Sequence, residues 1–166
     1  MRGLTRFLKY ALLSLVVIII QTTVMKLFTV GGITADVLTI WVVYVALHEG
    51  RLEGTLIGFA VGLLFDFSAG NFLGLSALSQ TACGFFAGSF YNENKTQLTL
   101  GTYRFLLIVL FSSFIQNLIY FLIFTRGSEI SLLGAVFHFG LITTMFTTAL
   151  TLLPLLVFSR KFQSSI

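Results

Sequence analysis

The stretch GTLIGFAVGLLFDFSAGNFLG, residues 54–74, decides how this chain reads. Gly54, Gly58 and Gly62 recur at every fourth position, Asp66 takes the next step, and Gly70 and Gly74 continue the spacing. Residues four apart on an α-helix lie about 40° from each other around its axis, so the three glycines form a smooth stripe that a second helix can approach closely. Asp66 falls on the flank of that stripe and is turned toward protein, because lipid would be the costly surrounding for a carboxylate. Gly84 and Gly88, in CGFFAG, repeat the device one segment later.

The rest of the chain supplies the setting. Of 166 residues, 57% are hydrophobic, only 10% are charged and 19 are phenylalanine, with a mean hydropathy of +0.99. A soluble domain of this size cannot hide that much apolar surface from water. A hydrocarbon core of ~30 Å needs ~20 residues of helix, so the apolar runs read as membrane spans. The expectation is an all-α polytopic membrane protein, one integral membrane domain over residues 1–166. Six transmembrane helices are expected at about 7–28, 35–47, 54–67, 74–90, 103–124 and 132–158. HEGRLEG (48–54) and DFSAGNFLG (66–74) break the middle of the chain into three short spans, which can recruit flanking residues, thin the bilayer or stop short of crossing it. Pro154 lies near enough to the end of the last run to be tolerated.

Six spans put Arg2, Arg6, Lys9, Arg51, Lys95, Arg104, Arg160 and Lys161 on one side and Lys26 and Arg126 on the other. The positive-inside rule then makes both termini cytoplasmic, and a five-span chain splits the basic residues less cleanly. The basic start MRGLTRFLKY resembles a secretory signal, but QTTVMKLF offers no small-residue cleavage site, so the first helix is expected to be retained. The net charge of +4 fits this orientation and contact with anionic lipid, and no aromatic-basic interleaving points to nucleic acid. Cys83 is alone, which leaves it no disulfide partner in the chain and makes it a small buried residue.

Counting helical rise along each span places Gln21, Gln80, Gln116, Asn117 and His138 in the outer third, with Asp36 and Asp66 at the outer boundary. This outer polar belt could line a pocket. Asp36 opens its helix, where a carboxylate caps free amides and complements the macrodipole. Asp66 closes its helix, where the dipole disfavours an anion, so another contact must compensate; on depth, Lys26, Arg126 and His138 are the candidate partners. The glutamines and His138 read first as interhelical hydrogen-bond partners. Catalytic patterns are missing: the sequence has no metal-binding histidine pair at helical spacing, no Gly-x-Ser-x-Gly and no phosphate-cradling glycine loop, so no enzyme, metal or cofactor is expected.

The order ADVLTI, GTLIGFAVGLLFDF, a small-residue loop and then LGLSALSQTACGFFAG resembles the rod shape-determining family MreD. The matching positions are Asp36, Gly54, Gly58, Phe59, Gly62, Asp66, Leu73, Gly74, Ala77, Leu78, Gly84 and Gly88. Ala35 stands where the family commonly has proline. The motif covers residues 34–90, and length and span count agree over the whole chain. The resemblance implies a non-catalytic protein of the bacterial inner membrane, a subunit of the cell-elongation machinery that directs lateral-wall peptidoglycan synthesis. It implies MreC as the chief partner, with MreB, RodA and a class B penicillin-binding protein as further complex members. It also implies a fold similar to the substrate-binding subunits of energy-coupling-factor transporters. A small-molecule-binding transporter subunit is therefore the alternative function, and an intramembrane enzyme is the least supported.

Overall fold

The computed structural model describes residues 2–24, 34–93, 96–125 and 134–155. Among them the regular elements are all helices. Helix α1 (Arg2–Ile19) runs into a π-helical turn (Ile20–Val24); α2 is Val37–Glu49, α3 Arg51–Ala69 and α4 Leu75–Gly88. A five-residue helix, α5 (Thr96–Leu100), precedes α6 (Tyr103–Phe124), and a second π-helical turn (Ala135–Gly140) leads into α7 (Leu141–Leu150). Helices α3 and α6 are long and apolar enough to cross a membrane, while Lys9–Thr23, Val37–Glu49 and Leu141–Leu155 are shorter apolar segments.

The charged cluster 48–54 breaks the chain at one residue only. Gly50, at φ +107°, is the entire connection between α2 and α3. Its N–H still reaches the carbonyl of Ala46, and its own carbonyl accepts from Gly54, each at 3.0 Å. Arg51, Leu52 and Glu53 are good helix formers, so α3 begins three residues before the apolar run does. Polarity alone does not end a helix; the backbone turn at glycine does. At the other end of α3, Gly70 adopts the left-handed conformation (φ +69°) and both its N–H and that of Asn71 return to the carbonyl of Asp66.

Helix α2 is the buried centre: Leu38, Thr39, Val42, Val43, Val45, Ala46 and Leu47 are all inaccessible or nearly so. It joins Cys83 and Ala87 of α4, Leu100 of α5, and Phe105, Ile108 and Val109 of α6 in one core. Tyr10 and Ser14 tie α1 to this centre, through a Tyr10 hydroxyl to Glu49 hydrogen bond of 2.6 Å and a Trp41 indole to Ser14 bond of 2.9 Å. By contrast, Leu52, Leu56, Phe59, Leu63, Leu64 and Phe67 of α3 face outward. One apolar face against protein and a second apolar face turned out is the pattern of a helix whose surroundings are lipid.

Helices α3 and α4 run antiparallel with their backbones in contact. A methyl group added at Gly54 would collide with Ala46 and approach the carbonyl of Gly84; one at Gly84 would collide with the Gly54 carbonyl. Added at Gly58 it would strike the Gln80 carbonyl, at Gly88 the backbone of Arg51, and at Gly62 the Ala77 Cα, 2.6 Å away. The four-residue glycine spacing thus becomes a seam with no side chain between the helices.

Candidate functional site

Where the seam ends, Asp66 takes the position of the next small residue. Its side chain is 0% exposed. Helix α4 starts just opposite, and its N-cap residue is Gly74, which has no side chain to satisfy the free amides of the first turn. Asp66 supplies the missing acceptor from the neighbouring helix: Oδ2 receives the N–H of Gly74 at 2.9 Å, of Ser76 at 3.0 Å and of Ala77 at 3.3 Å, while Oδ1 receives that of Ser76 at 3.2 Å. The dipole of α3 disfavours an anion here and that of α4 favours it, so the α4 N-terminus offsets the cost of the α3 C-terminus. Among the described residues its partners are backbone. Lys26 and Arg126, the side chains named as partners by depth, lie outside the described residues, and His138 falls within the π-helical turn before α7.

Asp36 also caps a helix, but its own. It accepts the N–H of Thr39 at 3.1 Å and the Thr39 hydroxyl at 2.8 Å, and the Gln80 amide donates to both Asp36 (3.2 Å) and Thr39 (3.1 Å). The start of α2 is gripped from two more directions. Gln21, in the π-helical turn after α1, accepts the Val37 N–H at 2.9 Å and donates to the Ala35 carbonyl at 3.2 Å. Thr147 of α7 accepts the N–H of Asp36 at 2.9 Å. Nearby, the Asn117 amide donates to Ser113 on its own helix and to Thr144 of α7 at 3.2 Å.

Gln21, Asp36, Gln80 and Asn117 line a cavity of about 470 Å³. Its polar part includes Gln21, Asp36, Ser76, Gln80, Gln116 and Asn117, with Thr34, Asn71 and Thr143, and Phe65, Tyr120, Phe121, Phe124 and Phe139 form its aromatic part. Gln80 and Gln116 are 1% and 6% exposed, and each holds a buried amide oxygen without a hydrogen-bond partner among the described residues. The Gln80 orientation is dictated by Asp36, an acceptor only, which must face the –NH₂ and so leaves the oxygen unpaired. Among the described residues no group of three His, Cys, Asp or Glu could hold a metal ion.

A model of the family described as rod shape-determining protein MreD matches residues 1–162. The chain belongs to the MreD family. Membership assigns it to the determination of rod shape in bacteria, and to a family of shape-determining structural proteins. No curated protein and no solved structure matches it.

The positions that carried the resemblance to MreD acquire physical roles here. Gly54, Gly58, Gly62, Ala77, Gly84 and Gly88 meet in the α3–α4 seam, Asp66 and Gly74 make the cap at its end, and Asp36 begins α2. Phe59, Leu73 and Leu78 are exposed. Of the belt residues, Gln21, Asp36, Gln80, Gln116 and Asn117 share one cavity, while Asp66 lies beneath the α4 terminus and does not line it. Sequence reading missed Thr39, Ser76, Ser113, Tyr120 and the threonines of α7. The last had a signal: Thr144, Thr147 and Thr148, and Thr151 at the C-cap of α7, recur at helical spacing, all buried. Thr144, Thr148 and Thr151 donate back to the carbonyl four residues earlier, which frees a hydroxyl oxygen such as that of Thr144 to accept from a neighbouring helix.

Proposed function

We propose that the chain is a non-enzymatic scaffold of the bacterial inner membrane, a multi-pass subunit of the elongation machinery that binds MreC and helps control lateral-wall peptidoglycan synthesis. The match to MreD over residues 1–162 carries this reading. MreB, RodA and a class B penicillin-binding protein are its further complex members. The chain forms one membrane domain of six spans with both termini cytoplasmic, an orientation supported by the distribution of its basic residues. Within it the glycine seam holds α3 and α4 as a rigid pair whose outer face, rich in leucine and phenylalanine, is available to lipid or to a partner helix.

The test is purification of the tagged chain from its membrane. Stoichiometric MreC in the eluate, diminished by Gly58→Leu, is the expected result; a small molecule in stoichiometric amount without MreC would overturn the scaffold. A second reading, a ligand-binding subunit with a fold like the substrate-binding subunits of energy-coupling-factor transporters, is favoured by the cavity beside Asp36.

A further inference from the structure

We infer that the cavity between α2, α4 and α6 is a binding site for a neutral, hydroxyl-rich head group. The inference goes beyond the scaffold reading and does not depend on it. The volume of about 470 Å³ lies in the range of small-molecule sites. Its lining is built for donors: Gln80 and Gln116, both nearly inaccessible, each hold an amide oxygen with no partner among the described residues. A buried acceptor left unpaired is costly, and the usual remedy is water or a ligand.

Charge narrows the class. Asp36, on the lining, would repel an anion. Asp36 already accepts from Thr39 twice and from Gln80, and it faces the positive end of α2, so its charge does not call for a cation. A neutral ligand with several O–H groups satisfies the Gln116 amide oxygen once that side chain turns toward the cavity, can exchange hydrogen bonds with Gln21 and Asn117, and can lay its C–H face on Tyr120 or Phe121. The head group of a glycolipid and a free sugar share this chemistry.

The experiment uses the full chain in nanodiscs of phosphatidylcholine alone. Glucosyl-diacylglycerol, phosphatidylethanolamine or phosphatidic acid is doped in, or methyl glucoside is added to the buffer. Thermal unfolding and native mass spectrometry are the readouts. The expected result is a 1:1 adduct and a Tm rise of roughly 5 °C or more near saturation, with either glucosyl probe. A lipid-only response identifies the membrane as the source, and a response to methyl glucoside identifies a free sugar. Gln116→Leu should keep or raise the ligand-free Tm, since it removes an unpaired oxygen, yet lose the adduct and the shift. Equal shifts in Gln116→Leu and the parent chain, a stronger response to phosphatidylethanolamine or phosphatidic acid, or no response to any probe would overturn the inference; the last means the cavity holds only water.

Discussion

Two aspartates sit at the same end of the bundle and both cap helices, but they are held in opposite ways. Asp66 is completely buried and its partners are three backbone amides of α4, brought near by a seam without side chains. Asp36 is half-buried and is held partly by backbone N–H and partly by two side chains, those of Thr39 and Gln80, at the edge of a cavity. Backbone amides at a helix start come in a fixed, convergent set, so a carboxylate placed there is saturated. A side-chain network offers no such guarantee, and here it leaves the oxygen of Gln80 without a partner among the described residues. The contrast separates a carboxylate saturated by backbone from one in a side-chain network beside a cavity.

The sharpest way to break the comparison is Asp66→Leu. It orphans three N–H groups, two of them buried, and should cost about 3–5 kcal/mol of stability, measured by denaturant or thermal unfolding in detergent. Asp66→Asn keeps one acceptor oxygen and should lose clearly less; equal losses would show that the charge, and not the geometry, matters. Gly84→Ala comes next. Its methyl group meets the Gly54 carbonyl, so the helices must separate, at a cost of about 1–3 kcal/mol in the same assay. An unchanged Tm would mean that the seam is looser than its geometry implies.

Asp36→Ala should cost about 1–2 kcal/mol, the worth of an N-cap, and the Gln80 amide loses a partner with it. A loss as large as that of Asp66→Leu would erase the distinction between the two sites. The smallest effect belongs to Gly70→Ala. No atom lies within 4 Å of the added carbon, so only the left-handed backbone (φ +69°) resists, at about 1 kcal/mol. Comparing its Tm with that of Gly84→Ala isolates steric contact from backbone conformation.

Much of this was legible from residue spacing. The four-residue glycine repeat announced a close helix contact, and depth counting grouped Gln21, Gln80, Gln116, Asn117 and His138, of which the first four appear in the cavity lining. The partner of Asp66 was not legible, because backbone amides carry no residue label; a search among side chains leads to Lys26, Arg126 and His138 instead. Gly50 as the sole link between α2 and α3 was hidden by the charged residues around it, which look like a loop and fold as helix. The threonine repeat of α7 was visible but ambiguous, since a threonine hydroxyl can be spent entirely on its own helix.

The sequence by itself determined the chemistry available: an apolar, helical chain, a smooth stripe that requires a close neighbour, and a carboxylate in register with it that requires compensation. These follow from local periodicity and from the cost of burying charge, both properties of the residues in order. Which neighbour fills the stripe, which amides satisfy Asp66, and that Gln80 and Gln116 converge on one cavity were decided only by the tertiary structure. Hydrogen bonds between segments far apart in the chain depend on the register and spacing of packed helices, and no single segment encodes that geometry.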